Sequence, residues 1–408
     1  MLHLLVSLGE LLPWPLHGIH VNHGLQVVAD LWQAHCETLC EQYGVPLQVA
    51  RLSLSPGPGE SLEAVAREAR YQALAERLGP GDLLLTAQHQ GDQAETLLLQ
   101  LLRGSGPAGL ASMPALSRFG PGWLARPLLD RPRAAIEAYA RQHRLSWEED
   151  PSNRDLRFDR NFIRHQVMPL LTGRWPAAPV TLSRAARFSG ELLELAKEEG
   201  EEDLARCRLE GNAELSIERL RRFDSVRLRN LLRHWIAELG APLPSSKKLA
   251  RVEREAVHGR PDTNPLIVWG GWEVRRYRDR LRLDRPLPEL HRSEPLAWRD
   301  PSELTLPGGL GRLIAESGEA GLDPARWSNA EVEVRFRRGG ERCRPRGHPH
   351  HRPLKKLFQE WGVPPWERER IPLIYLDGEL AAIPGRLICH PFAAAAGAPS
   401  IVIRWEAV

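Results

Sequence analysis

Between residues 17 and 103 the hydrophobic period changes repeatedly, and that alternation constrains the fold more than any other feature of the chain. His17-Gly-Ile-His-Val-Asn22 alternates in the manner of a strand and turns at His23-Gly24. Residues 27–43 place Val27, Val28, Leu31, Trp32, Leu39, Cys40 and Tyr43 at three- and four-residue spacings, the pattern of an amphipathic helix. Gly44-Val-Pro46 stops that helix, and Leu47 to Leu54 reads as a second strand. Pro56-Gly-Pro-Gly59 breaks the chain ahead of a second helix over 61–78, which Gly79-Pro-Gly81 ends. Asp82-Leu-Leu-Leu-Thr-Ala87 then reads as a strand buried on both faces, as in a parallel sheet, with a third helix over 92–103. Three strand–helix pairs with right-handed crossovers predict an α/β fold with a doubly wound parallel sheet. Ligands of such sheets bind at the carboxyl ends of the strands, here near Asn22-His23 and Gln88-His89.

Beyond Arg103 the texture changes. Asp130-Arg-Pro predicts a helix start with an N-cap and an early proline. Residues 159–172 and 180–260 read as helical, broken near Gly211-Asn212 and over 240–244. From Leu266 the chain turns to short strands, with Leu304–Ile314, Val332–Arg337, Ile371–Tyr375 and Ile401–Trp405 as strands and one helix near 353–361. The expected division is an α/β domain over 1–175, a helical-to-mixed middle over 176–300 and a small α+β domain over 301–408. No apolar run approaches the roughly 20 residues that span a bilayer. Residues 1–16 carry Glu10 and no basic opening, so they do not read as a signal peptide. Five cysteines in 408 residues do not make a disulfide framework, and Cys36 and Cys40 read as packing residues. A cytoplasmic protein without a membrane partner is the expectation; its oligomeric state is not legible, and a homodimer stays open.

The densest chemistry lies in Thr86-Ala-Gln-His-Gln-Gly-Asp-Gln-Ala-Glu-Thr96, which sets His89, Asp92 and Glu95 at a strand end and in the first turn of the next helix. Asp92 and Glu95, three apart, share a face where they could hold Mg²⁺ or a substrate ammonium. Asp92 as N-cap with Glu95 three residues on is also a variant capping box, and the two readings are compatible. The Arg103-Gly-Ser-Gly106 turn offers backbone N–H groups to phosphate, although a helix C-cap explains Gly104 equally well. His20 and His23 lack an acidic or cysteine partner nearby, so a nucleotide or structural role fits them better than zinc. Arg67 and Arg70 lie on one helix face, either solvated or turned to a phosphate or carboxylate. Asp150-Pro-Ser-Asn153 is a turn, followed by Arg154, Arg157, Arg160 and Arg164 around Asn161, a basic helix start.

Charge is distributed unevenly. The chain carries only +3 overall. From Arg335 to Lys356, however, nine basic residues face the single acid Glu341, a local +8 that leaves −5 for the remainder. That density, with proline and glycine interleaved, fits phosphate-backbone contact and hence a nucleic-acid partner. Arginine outnumbers lysine fifty to five, which makes the pairs Lys247-Lys248 and Lys355-Lys356 conspicuous.

Several segments together resemble the tRNA(Ile)-lysidine synthetase family of the PP-loop ATP pyrophosphatase superfamily: His20-Val-Asn-His-Gly-Leu25, Ala66-Arg-Glu-Ala-Arg-Tyr71, Thr86 to Gly106, Glu149-Asp-Pro-Ser-Asn153, Asp159-Arg-Asn-Phe-Ile-Arg164, and Leu354-Lys-Lys-Leu-Phe-Gln-Glu-Trp-Gly-Val-Pro-Pro-Trp366. The resemblance implies a PP-loop, adenine-nucleotide-hydrolase-like catalytic domain over 1–175, followed by tRNA-binding domains over 176–300 and 301–408. It implies ATP-dependent attachment of lysine to C2 of the wobble cytidine of a tRNA(Ile) with a CAU anticodon. The route passes through an adenylated cytidine, and the product tRNA decodes AUA. It implies catalytic roles for Asp92, Glu95, His89 and Arg70, with Asp92 a candidate Mg²⁺ ligand. It further implies ATP contacts from His20, Asn22, His23, Arg103, Gly104 and Gly106, and tRNA contacts from Arg160, Asn161, Arg164, Arg346, Lys355 and Lys356. A PP-loop tRNA thiolase is the neighbouring alternative, but such enzymes often rely on paired cysteine motifs, and none is present.

The sequence also departs from the family. Its opening strand and serine–glycine–glycine–x–aspartate–serine phosphate loop have no counterpart in the 408 residues, and Met1–Leu8 resembles the helix that should follow that loop. The first expectation is therefore a longer true protein with this start misplaced or the gene truncated. The alternative is an N-terminally truncated homologue that binds tRNA without catalysis. Gln88 and Gly91 stand where many members have His and Asp, which removes one possible metal ligand.

Overall fold

A computed structural model describes residues 1–12, 14–24, 28–54, 57, 62–209, 214–288, 294–299 and 302–407. Leu25, Val27, Gly211-Asn212 and the Pro56–Gly59 break apart from Gly57 lie outside these residues. The chain divides into two compact units, 1–199 and 200–408.

The first unit follows the alternation of its sequence. Helix α1 (Leu2–Leu8) precedes β1 (Gly18–Asn22), α2 (Ala29–Gln42), β2 (Leu47–Arg51), α3 (Leu62–Ala75), β3 (Leu83–Leu85) and α4 (Gln90–Leu102). Strands β1 and β2 pair in parallel, Gly18 opposite Leu47 and Asn22 opposite Arg51, with α2 as the crossover. Gly18 allows close packing here: a Cβ would come within 2.9 Å of Leu47 Cδ1 and 3.1 Å of Cys40 Sγ, so those side chains would have to shift. Cys40 is accordingly buried and Cys36 half-buried, as packing residues are. After α5 (Pro107–Leu110), β4 (Leu116–Phe119) and β5 (Gly122–Ala125) form a hairpin, and β3 pairs in parallel with β5.

Two expectations change in this unit. Among the described residues no ladder joins β1·β2 to β3·β5·β4, so the sheet lies in two pieces. Strand β3, whose one strand neighbour among the described residues is β5, is also not buried on both faces, since Leu83 is 50% exposed. The helix expected to start at Asp130 is α6 (Arg133–Gln142), whose N-cap is Pro132 in an extended conformation. Asp130 instead lies 3.3 Å from the Arg131 guanidinium.

The feature that positions chemistry is the packing of α4 against the segment after the 150–153 turn. Asp150 accepts from Ser152 N at 2.8 Å and tightens that turn. Buried Asn161 then donates to the carbonyls of Ser152 and Asp155, at 2.8 and 3.0 Å. Helix α7 (Asp159–Phe162) continues through a π-type turn over Ile163–Val167 into α8 (Met168–Arg174). Ile163 and Met168 bury against Ala94 of α4, with Leu98 and Leu99 around them.

Helix α9 (Ala178–Cys207) runs across the boundary. The second unit contains two cores. In the first, β6 (Leu215–Ser216), β7 (Leu266–Trp269), β8 (Trp272–Tyr277) and β9 (Arg280–Asp284) form an antiparallel sheet in the order β6-β9-β8-β7. It packs with α10 (Ile217–Leu220), α11 (Ser225–Glu238) and α12 (Ser246–Arg251), and Leu228, Leu231, Leu232, Trp235 and Ile236 of α11 are fully buried. Asp203 is fully buried too, held by both arms of Arg227 at 2.6 and 2.8 Å.

In the second core, β10 (Leu296–Ala297), β13 (Val332–Phe336), β16 (Pro372–Leu376), β17 (Glu379–Ile383) and β18 (Leu387–Ile388) make one sheet. Strands β11 (Glu303–Thr305), β12 (Arg312–Gly318) and β19 (Ser400–Glu406) make another, and β14 (Arg342–Cys343) pairs with β15 (Arg352–Pro353). The segment Leu304–Ile314 is thus a hairpin rather than one strand, because Pro307-Gly308-Gly309 turns the chain back. Helices α13 (Pro324–Asn329), α14 (Leu354–Glu360) and α15 (Pro365–Arg368) complete it, with Phe358 fully buried.

Trp235 has no exposed surface, so Trp235→Ala should lower the unfolding free energy by about 3–5 kcal/mol. Urea unfolding followed by circular dichroism checks this; an unchanged midpoint would show that Trp235 does not anchor that core.

Candidate active site

At the amino end of α4 the helix is capped by His89, not by Asp92. The imidazole Nδ1 accepts from Asp92 N at 3.3 Å, and Asp92 Oδ2 accepts from His89 N at 2.9 Å. The box expected from Asp92 and Glu95 therefore sits three residues earlier, with Asp92 in its third position, because His89 is the last extended residue before the helix. Gly91 belongs to the same device. A Cβ there would come within 2.9 Å of His89 Cε1, so the imidazole folds over a position that has no side chain.

The shifted frame frees Glu95 and the second oxygen of Asp92 to face α7 and the π-type turn. Arg160 reaches Glu95 Oε2 through Nε at 3.0 Å and Asp92 Oδ1 through Nη2 at 3.0 Å. Arg164 reaches Glu95 Oε1 through Nε at 2.7 Å, and its Nη2 donates to Asp92 Oδ1 at 2.9 Å and Glu95 Oε2 at 2.8 Å. Two carboxylates and two guanidiniums make a neutral cluster, and the Glu95 side chain is only 5% exposed. Burial pulls Arg164 down, but the hydrogen bonds and charges of Glu95 and Asp92 outweigh it and raise its pKa overall. Burial lowers the pKa of His89, against the pull of Asp92 and Glu95, so the imidazole stays neutral and can accept in the cap.

A second group lies at the carboxyl end of β1. Asn22 is buried, donates to Asp30 Oδ1 at 3.1 Å and Gln33 Oε1 at 3.0 Å, and accepts from Gly24 N at 2.9 Å. It shapes the turn, and Gly24 occupies the left-handed region at φ +63°. His20 and His23 are half-buried, and burial followed by the charge of Arg70 lowers both pKa values. His23 Nδ1 is buried without a hydrogen-bond partner among the described residues. Arg70 itself is exposed on α3.

At the far end of α4, Arg103 is exposed and 4.0 Å from Asp159, and Gly104 closes the helix at φ +66°. Gly106 caps α5. Arg346, Lys355 and Lys356 are all exposed in the second unit. Among the described residues, no three His, Cys, Asp or Glu side chains gather in a metal-binding group.

Sequence reasoning overlooked Arg126. It follows β5, at the ligand-binding end of the β3·β5 pair, and is 8% exposed. Its Nη1 donates to Pro114 O at 2.7 Å, and its Nε has no partner among the described residues. An arginine directly after Gly-Trp-Leu-Ala and before proline was the available signal.

Comparisons with known proteins give the chain's family. Residues 1–171 match the PP-loop domain family, residues 215–282 the TilS substrate binding domain and residues 332–405 the TilS substrate C-terminal domain. A tRNA(Ile)-lysidine synthase of Methylococcus capsulatus is 44% identical over 389 residues, which is 95% of this chain and 89% of that protein. Those of Coxiella burnetii and Serratia proteamaculans are 41% and 45% identical, over 97% and 94% of this chain and 87% of each relative. With three domain matches in order and relatives of this identity along nearly its whole length, the chain belongs to the tRNA(Ile)-lysidine synthase family.

Proposed function

We propose that this chain joins lysine to C2 of the wobble cytidine of a tRNA(Ile) with a CAU anticodon, at the expense of ATP. The carrying observation is the cluster of Asp92, Glu95, Arg160 and Arg164 at the amino end of α4. In the first step the cytosine O2 attacks the α-phosphorus of ATP, one phosphoanhydride bond breaks, and pyrophosphate leaves. In the second the lysine ε-nitrogen bonds to C2 and the C2–O bond to AMP breaks. Asp92 and Glu95 are the groups that bind the ammonium and take its proton. A lysine ammonium brings one positive charge, so it can replace one guanidinium without leaving a carboxylate uncompensated. Arg160, with its side chain 33% exposed against 21% for Arg164, is the one placed to yield and turn to an RNA phosphate. Arg70, with neutral His20 and His23 beside it, is the basic group proposed for ATP phosphates at the end of β1. Arg103 and the Gly104–Gly106 turn are proposed to add to that contact, and the exposed Arg346, Lys355 and Lys356 to hold the tRNA backbone.

Mg²⁺ does not fit the acidic pair as it stands. Both oxygens of Asp92 and both of Glu95 already accept N–H donors, and the two guanidiniums balance their charge. No step is assigned to a metal there.

The test is incorporation of labelled lysine into a tRNA(Ile) transcript by the 408-residue chain with ATP. Lysine transfer supports the ligase; tRNA binding without transfer leaves only the non-catalytic RNA-binding homologue. Asp92→Ala should abolish transfer, and the isosteric D92N should lower kcat/KM by about 10²–10⁴-fold. Retained activity in either variant removes Asp92 from the mechanism.

The depressed pKa values of His20, His23 and His89 give stability a direction with pH. The unfolded chain binds these protons first, near a pKa of about 6.5, so the stability they contribute is complete above that value and falls on acidification below it. The thermal midpoint should therefore drop between about pH 7 and pH 5, and His89→Gln should flatten that slope. A slope unchanged by the substitution would show that His89 is not held neutral.

A further inference from the structure

The second unit contains a cavity of about 190 Å³ between its first sheet and helices α14 and α15. Its lining includes none of the residues proposed for lysine, ATP or the tRNA backbone. Trp361, Trp366 and Tyr277 supply rings to its lining, and Arg280, Arg282 and Arg386 supply cations. Trp366 meets Tyr277 edge to face, with centroids 6.1 Å apart, and the Arg275 guanidinium sits 5.0 Å from its ring. Arg386, exposed, lies 5.9 Å from the Trp361 ring.

The carboxylates of the lining are already spent. Glu367 accepts from Arg282 Nη1 at 2.6 Å, and Glu214 accepts from Arg280 Nη1 at 3.1 Å. Arg282 also pairs with Asp284, and Arg386 is the lining cation with no carboxylate partner among the described residues. Its walls are fixed: Arg368 donates to Val363 O at 2.8 Å and to the Tyr277 hydroxyl at 3.2 Å, tying α15 to β8. A volume below the roughly 300–1,000 Å³ of sites for drug-sized ligands suits one planar ring system. Aromatic rings in the lining together with cations are the combination that stacks and holds bases of single-stranded RNA. The approach is basic as well, since Trp361 caps the helix that carries exposed Lys355 and Lys356.

We propose that this cavity receives one unpaired nucleobase of the RNA substrate, stacked on Trp366 and Trp361, with Arg386 on the adjoining phosphate. The proposal rests on the reading that the terminal domain binds tRNA, and it adds a contact to a base where that reading has only contacts to the backbone. The unpaired base could come from the 3′ single-stranded end or from a loop.

The test measures affinity of the full chain for a tRNA(Ile) transcript, intact and trimmed of its 3′ single-stranded nucleotides. Trp366→Ala should weaken binding by about tenfold, and Trp366→Phe, which keeps a ring, should restore most of it. R386Q, at an exposed position, should weaken binding without altering the thermal midpoint. If the base is the 3′ end, trimming weakens the unaltered chain and leaves W366A no worse; if it is a loop base, trimming changes nothing while W366A still loses affinity. The proposal is overturned if W366A and R386Q bind as tightly as the unaltered chain. Lys355→Glu with Lys356→Glu separates the two readings: loss of binding there with full binding in W366A removes the base pocket and keeps the RNA reading. An unaltered chain that binds no transcript removes both.

Discussion

The charge balance at the amino end of α4 is the constraint around which the first unit is arranged. Two carboxylates three residues apart on one buried helix face cannot be left uncompensated, since an isolated buried ion costs several kcal/mol. Compensation comes from Arg160 and Arg164, about 65 to 72 residues later in the chain. To bring both guanidiniums to the same pair, the chain tightens at Asp150, locks with Asn161 and continues through a π-type turn. The apolar contacts of Ile163 and Met168 with Ala94 then follow from that alignment. Packing and electrostatics thus select one register of α7 and its π-type turn against α4, and the register places every charge.

The arginine fork matters to this outcome. A guanidinium presents several N–H donors in a plane, so Arg164 can serve three carboxylate oxygens from one side chain. A lysine ammonium at the same position is a compact point charge that cannot span Asp92 and Glu95 in that geometry. The same solution recurs in the second unit, where Arg227 grips fully buried Asp203 with two donors.

Much of this was legible in the sequence, for identifiable reasons. The order of strands and helices over 17–103 was legible because period 2 and period 3.6 alternate cleanly between glycine and proline breaks. Asp92 and Glu95 were legible as a pair because helical spacing fixes their shared face. Their partners were not: nothing local says that a basic helix start near 160 folds inward onto α4, and a charge run more often faces solvent. The cap was misplaced for a different reason. Histidine is not among the usual N-cap residues, so the pattern pointed to Asp92, and only the imidazole lying over Gly91 reveals the true frame. The exposure of β3 was hidden because a continuous apolar run does not report which of its faces the fold covers.

The same limit applies to the basic segment of the second unit. A count of +8 treats every cation as available, yet Arg335 pairs with Glu333, Arg337 lies 3.6 Å from Glu341, and Arg352 pairs with Glu360. Two of these three acids lie outside the segment that was counted, at positions the sheet and α14 bring close. Arg338, Arg342, Arg346, Lys355 and Lys356 remain on the surface with no carboxylate partner among the described residues. The electrostatic footprint is therefore narrower than the sequence total and more directed, because the fold neutralises the cations nearest the core and leaves those at the turns and on α14 facing outward. A phosphate backbone meeting that face would be read by position rather than by bulk charge, which is what selective binding of one RNA shape requires.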